Sequence, residues 1–308
     1  MAGRFSIGEL LLGVSGVALL RHWGLDSDVV QDQVDTMARL LDRHREGAWA
    51  HVERAEKSVI AGYADWAAVY DDPGNPILSA EQPAVWELLK GYPLGQALDA
   101  ACGTGRHAGY LAQLGHEVRG IDATPAMLER ARAKVPGGRF EVAELESLPL
   151  DDGSVDLAVC GLALTHLAHL GPAISELARV VRPRGHVVIS DVHPFNVGLG
   201  AHAAYSNDHG EHGVIRNYLH LASDYLSAFR DAGLEVTGCV EPLFGQKEID
   251  MLPSASEEAD LYRLALSGQP IVIVWETVRP PRTTAAARAA AARATTAAVG
   301  ARARSHST

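Results

Sequence analysis

The stretch LDAACGTGRHAG, residues 98–109, decides the fold: an apolar strand-like run gives way to a glycine-punctuated turn and then to helix-forming residues. Gly103 and Gly105 let the chain turn sharply and bring bare backbone up to a ligand, and the helix beyond them begins with unpaired N–H groups. Taken alone, Gly103, Gly105 and Ala108 satisfy the degenerate pattern of a dinucleotide site, so an NAD(P)-dependent oxidoreductase is one reading of the glycines.

Downstream of this turn, short apolar runs alternate with amphipathic stretches of helical length. Strands are predicted near 97–101, 117–121, 139–143, 155–160, 186–190, 234–240 and 270–277, with helices at 105–115, 125–134, 171–181 and 218–232. That alternation signals βαβ units around a parallel sheet. The last run lies close enough to its predecessor to be its antiparallel partner. Upstream, residues 6–60 read as helices: Leu10, Leu11, Val14, Val17 and Ala18 repeat at helical spacing, and Val30, Val34, Met37, Leu40 and Leu41 do so again. A third helix is predicted over Ala48 to Tyr70, ended by PGNP at 73–76.

Charge separates the candidate ligands. Asp99 closes the first strand just before the glycines, where a carboxylate would repel the pyrophosphate of a dinucleotide and attract the ammonium of an amino-acid moiety. Asp122 closes the next strand and can accept from both hydroxyls of a ribose. After the third strand, Glu144 and Leu145 stand where an adenine ring would lie, with Met127 placed to cover its face.

With these residues in view, ALDAACGTGRHAGYLAQLGHEVRGIDATPAMLERAR, ESLPLDDGSVDLAVCGLALTHL and ELARVVRPRGHVVISD together resemble a class I S-adenosylmethionine-dependent methyltransferase, over about residues 60–278. The resemblance implies an α/β fold with a seven-stranded Rossmann-like sheet whose last strand is antiparallel. It also implies that Asp99, Gly103 and Gly105 hold the methionine end of S-adenosyl-L-methionine, Asp122 the ribose, and Glu144 with Leu145 the adenine, with Leu162 opening the loop beneath the sulfonium. Glu144 stands where such proteins often carry Asp, and Arg184 interrupts the usual Pro-Gly-Gly before the fifth strand.

Methyl transfer from a sulfonium is a displacement that mainly requires an acceptor lone pair held in line, so a base is needed only for a hydroxyl or an acidic carbon. His166, after the fourth strand, and His193, after the fifth, are the candidate bases or pocket-shaping groups. DHGEH at 208–212 has HxxH spacing but lies in a glycine-rich segment without fixed geometry, so a polar lid is expected there and no metal. Ser223, Asp224 and Tyr225 read as cap and core or as substrate contacts. Tyr63, Trp66 and Tyr70 form an aromatic stripe, with Tyr70 the candidate to close over the cofactor.

Composition bounds the partners. Six arginines and no carboxylate follow Glu276, leaving a body far more acidic than the net charge of −11 suggests, which argues against nucleic acid. The apolar run at 10–20 is too short to span a bilayer and no cleavage site follows it, so a cytoplasmic protein with no membrane partner is expected. Cys102, Cys160 and Cys239 sit in apolar runs and read as buried thiols. The expected organisation is an N-terminal helical cap at 1–60 whose helices offer a homodimer surface, a catalytic domain at 61–278 and a disordered Ala/Arg-rich tail at 279–308. The reading is a methyltransferase acting at oxygen on a small-molecule acceptor of specialised metabolism, with carbon or nitrogen acceptors and a catalytically inactive domain of the same fold as alternatives.

Overall fold

The computed structural model describes residues 2–281 of the 308. The elements run β1 (Ala2–Phe5), α1 (Ile7–His22), α2 (Ser27–Arg45), β2 (Val52–Lys57), α3 (Val59–Trp66), α4 (Pro76–Leu89), β3 (Gln96–Ala100), α5 (Arg106–Leu114), β4 (Glu117–Asp122), α6 (Pro125–Lys134) and β5 (Arg139–Val142). They continue with β6 (Val155–Gly161), α7 (Leu170–Val180), β7 (Val181–Val192), α8 (Pro194–Gly198), β8 (Ala203–Ser206), β9 (His212–Ile215), α9 (Ala222–Ala232), β10 (Glu235–Val240), α10 (Gln246–Ile249), α11 (Ala255–Leu266) and β11 (Val272–Val278).

Seven strands form the main sheet in the order β5-β4-β3-β6-β7-β11-β10. Every pair among β5, β4, β3, β6 and β7 is parallel, and β11 runs antiparallel to both β7 and β10. The central strands are apolar on both faces because helices cover both. Leu157, Val159 and Val188 meet Val85 and Leu89 of α4 and Leu111 of α5, while Ala158, Cys160 and Ile189 meet Ile174 and Leu177 of α7 and Phe229 of α9. The chain winds outward from β3 in one direction and from β6 in the other, so a crevice opens at their carboxyl ends.

The sheet matches the seven predicted strands, and the N-terminal prediction needs correction. The expected third helix over 48–70 is a strand, β2, followed by the short helix α3, which also carries the expected 60/61 boundary. β2 pairs antiparallel with β1 and parallel with β9, and β9 pairs with β8, giving a second, four-stranded sheet. The segment expected to be a polar lid therefore supplies a hairpin to this sheet. Pairing partners some 150 residues away override the helical tendency of VERAEK. Gly62 allows the contact, since a Cβ there would lie 2.4 Å from Ile215 Cγ1.

The apolar face of α1 is covered within the chain. Leu11, Val14 and Ala18 pack with Leu40 of α2 against Leu261, Tyr262 and Ala265 of α11, a helix absent from the expectation, as was α4. Of the three thiols, Cys102 and Cys160 are buried and Cys239 is exposed, contrary to its predicted burial. Arg279, the first residue of the predicted tail, is tied to β7 through Gly185 O and to α7 through Arg179 O; residues 282–308 lie outside the described residues.

Since the helical region joins the body mainly through this apolar contact, Leu11→Ala is expected to lower stability by about 2 to 5 kcal/mol. A matching fall in the urea midpoint is the readout, and an unchanged midpoint would show that the α1–α11 contact contributes little.

Candidate functional site

The loops at the carboxyl ends of β3, β4, β5 and β6, together with α3, enclose a cavity of about 270 Å³. Its wall contains Ala101 and Gly103 after β3, Asp122 closing β4, Met127 on α6, Glu144 and Leu145 after β5, Leu162 and His166 after β6, and Tyr63 and Tyr70 from the segment above. Gly103 and Gly105 adopt φ of 51° and 78°, and a Cβ on Gly105 would come within 3.1 Å of Ala131 on α6. Ala101 and Leu162 hold φ of 55° and 57° without being glycine. A left-handed residue with a side chain costs about 1 to 2 kcal/mol, and both face the cavity, where such strain tends to be retained for function. Arg184, where the resemblance expects glycine, is also left-handed, with φ of 70°, and does not line the cavity. Ala101 was not singled out from sequence; its place between the strand end and Gly103 was the available signal.

Asp122 shapes the loop: Oδ2 accepts from the Gly103 N–H at 2.8 Å and Oδ1 from the Thr124 N–H at 2.7 Å, while burial raises its pKa. Asp99 departs from expectation. It is 1% exposed, it does not line the cavity, and its Oδ2 accepts from the Ala108 N–H at 2.7 Å, which caps α5. Its Oδ1 is buried without a partner. Burial raises the carboxyl to about 6, against the opposing pull of His107 and the Ala108 N–H.

Beneath the loop lies a charge cluster that sequence reasoning missed. Glu81 of α4, fully buried, accepts from Arg106 Nη1 at 3.1 Å, His107 Nε2 at 2.9 Å and Ser190 Oγ at 2.6 Å. Burial alone would raise its pKa, but His107 and Arg106 outweigh it and hold it at about 2. Nothing local in AEQP announces this, because the partners come from α5 and β7.

The aromatic stripe roofs the cavity. Tyr70 is buried against Met127 and meets Trp66 edge-on at 5.0 Å, and Trp66 stacks on Tyr205 of β8 at 5.3 Å. Tyr63 also lines the cavity, and its hydroxyl lies 2.8 Å from His166 Nε2. His166 Nδ1 is 2.9 Å from the Arg216 carbonyl, and burial lowers the imidazole pKa although that hydrogen bond opposes it.

His193 is not brought to the cavity. Its Nδ1 accepts from the Phe195 N–H at 3.1 Å, capping α8, and its Nε2 faces Glu241 at 3.0 Å. Asp191, two residues before His193, is fully buried and accepts from Tyr225 Oη at 2.8 Å; burial raises it to about 7. Asp224 accepts from the Leu221 N–H at the start of α9, and Tyr225 packs in the core. His212 pairs with Ser206 and His209 with Asp208, so the HxxH histidines do not converge.

Residues 98–189 match the family model described as a methyltransferase domain. The chain carries a class I S-adenosylmethionine-dependent methyltransferase domain. It is similar to the malonyl-[acyl-carrier protein] O-methyltransferases of Salmonella typhimurium, 33% identical over 44% of this chain and 53% of that protein, and of Yersinia pestis, 38% identical over 44% and 50%. The chain thus spans about half the length of these relatives. In fold, the methyltransferase domain resembles a Listeria monocytogenes chain described as an S-adenosylmethionine-dependent methyltransferase, with a TM-score of 0.50 and 21% identity over 65% of this chain and 99% of that one. It also resembles the methyltransferase in a Haloferax volcanii complex with the Trm112 activator, with a TM-score of 0.51 and 20% identity over 71% and 97%.

The residues fit the cofactor that this domain type uses. An orphaned carboxylate oxygen behind the glycine loop matches a site short of a cationic partner, Gly103 leaves open space where a Cβ would stand, and Asp122 faces the cavity from a strand end. Among the described residues, no helix is long and apolar enough to cross a membrane.

Asp191 allows a stability test. Its folded pKa of about 7 exceeds the usual carboxylate value, so the native state holds the proton more tightly and wild-type stability falls as pH rises from about 4 through 7. Asp191→Asn removes that slope: its melting temperature relative to wild type is expected to be higher at pH 8 than at pH 5. An equal difference at both pH values would show that Asp191 ionises at an ordinary pKa.

Proposed function

We propose that the chain binds S-adenosylmethionine in this cavity and transfers its methyl group to a neutral hydroxyl of a small molecule in the cytoplasm. The observation that carries the acceptor class is the wall's charge. Asp122, Glu144 and Glu146 line it, and among the described residues no lysine or arginine does. A carboxylate or phosphate acceptor would meet carboxylates with no cation to hold it, whereas a neutral alcohol or phenol would not.

When bound, the cofactor supplies an electrophilic methyl group on a sulfonium. The chain's own residues then have three tasks. Gly103 and Ala101 present backbone to the methionine end, with Asp99 as negative charge behind them; Asp122 accepts from the ribose; Glu144, Leu145 and Met127 enclose the adenine. Tyr70 and the α3 roof exclude water, which would otherwise compete for the methyl group. The rest is placement, because a displacement needs its acceptor held in line and no protein nucleophile. The likeness to enzymes named for O-methylation supports oxygen as the target atom.

Calorimetry with S-adenosylhomocysteine tests the reading. Wild type is expected to bind in the micromolar range, and Asp99→Asn to bind more weakly, because the variant removes the negative charge behind the backbone that faces the ammonium. Affinity should also fall as pH drops through about 6, where Asp99 takes up a proton, and this step should vanish in the variant. A calorimetric blank with wild type rejects the proposal. Incubation of the cofactor-loaded protein with metabolites of the producing cell, read by mass spectrometry for a gain of one methylene, identifies the acceptor.

A further inference from the structure

A hydroxyl acceptor must lose its proton as it is methylated, and His166 is the imidazole on the cavity wall. The structure shows that His166 is not free to take that proton directly. Its Nδ1 faces the Arg216 carbonyl at 2.9 Å, and a carbonyl only accepts, so Nδ1 carries the hydrogen. Nε2 of the neutral ring is then an acceptor, and Tyr63 Oη at 2.8 Å is the donor to it. The chain of bonds is directed: phenol to imidazole to main-chain carbonyl. Tyr63 and His166 both line the cavity, and the phenol oxygen keeps lone pairs free to accept while it donates to Nε2.

Resting on the methyltransferase reading above, we propose that Tyr63 is the catalytic residue that meets the acceptor hydroxyl and relays its proton to Nε2 of His166. As the acceptor oxygen bonds to the methyl carbon, its O–H bond breaks and that proton joins Tyr63 Oη. The phenol's own proton passes to Nε2, so Tyr63 ends neutral and His166 ends as an imidazolium still donating from Nδ1 to Arg216. One proton is stored per methyl transferred. The tyrosine remains a neutral phenol throughout, in keeping with the burial that raises its pKa well above the ordinary value.

The surroundings provide an exit. His166 and Val59 line both the cavity and a separate open polar groove formed with Glu56, Lys57, Arg216 and Tyr218. The groove gives the imidazole a second, polar face that Tyr63 does not line. The charged and titratable groups facing the pair are Asp122, Asp191, Arg106 and Tyr70 within the fold, with Glu144 and Glu146 on the cavity wall. At the groove, Glu56 pairs with Arg216 and Lys57 with Asp65, so neither cation is left unpaired against the imidazolium.

The first test needs no acceptor. In the full chain loaded with S-adenosylhomocysteine and labelled with [15N]histidine, NMR at pH 7 is expected to show His166 neutral, protonated at Nδ1, with Nε2 as a hydrogen-bonded acceptor. Tyr63→Phe should shift Nε2 to the free-acceptor position and leave the tautomer unchanged. An Nε2–H tautomer in wild type overturns the relay. The second test measures S-adenosylhomocysteine released with a panel of simple phenols and aliphatic alcohols. Tyr63→Phe and His166→Gln are each expected to lower kcat by about 100-fold or more, with KM and S-adenosylhomocysteine affinity unchanged and the double variant no worse than either single one. Full kcat in Tyr63→Phe overturns the relay alone, whereas failure of wild type to bind S-adenosylhomocysteine overturns the reading on which it rests.

Discussion

One buried carboxylate holds the functional end of the sheet together. Glu81 is held ionised by Arg106 and His107 at the start of α5 and a hydroxyl at the end of β7, so α4 is fastened at once to the glycine loop's helix and to the strand on the far side of β6. Replacing such a group with an apolar one can be neutral for stability, but removing one partner strands a charge in the interior, at about 3 to 5 kcal/mol. What the cluster contributes beyond stability is position. Arg106 and His107 directly follow Gly105, and Gly161, where the fourth parallel strand ends, lies so close to His107 that a Cβ there would sit 2.7 Å from Nε2. The loop after β3 and the loop after β6, which face each other across the cavity, are therefore set by the same ion cluster.

The seven strands of the main sheet were legible because each is a local apolar run bounded by turn residues, and the crossovers after β3, β4 and β6 each contain a helix. The second sheet was not. β2 has the composition of a helix, and only its partners β1 and β9 make it a strand; the bond that decides it is long-range and leaves no periodic trace. α4 was hidden by its prolines: Pro76 opens the helix and Pro83 lies inside it, a pattern that local reading assigns to a break. α11 was missed because the apolar face that identifies it is matched to α1, some 240 residues earlier.

At the site, the legible part was the part written along the backbone. Glycines with positive φ and acids at strand ends follow from the fold once the fold is known, and Asp122, Glu144, Leu145, Met127, Leu162 and Tyr70 do meet at one cavity. Strand position does not say which way a side chain at the end of the strand is spent. Asp99 turns to cap its own following helix, and His193 caps a short helix that sequence did not reveal. Tyr63 and His166, 103 residues apart, could not be paired from sequence at all, since α3 was read as the middle of a longer helix.

The charge of the cavity links these observations. A wall of carboxylates suits a sulfonium, but methyl transfer to a neutral acceptor consumes that positive charge and leaves a proton in its place. The same acids that favour the cofactor then favour retaining the proton, and a base that keeps its proton cannot take the next one. A cavity built this way needs a route by which positive charge leaves without crossing the roof of α3. His166 is neutral when empty, is held in one tautomer by a main-chain carbonyl, and opens onto a second, polar face, so it satisfies that requirement with groups the fold already positions for other reasons. The carbonyl comes from Arg216, the residue that follows β9, which makes the second sheet more than a cover: its pairing with β2 sets both the helix that carries Tyr63 and the backbone that orients the imidazole.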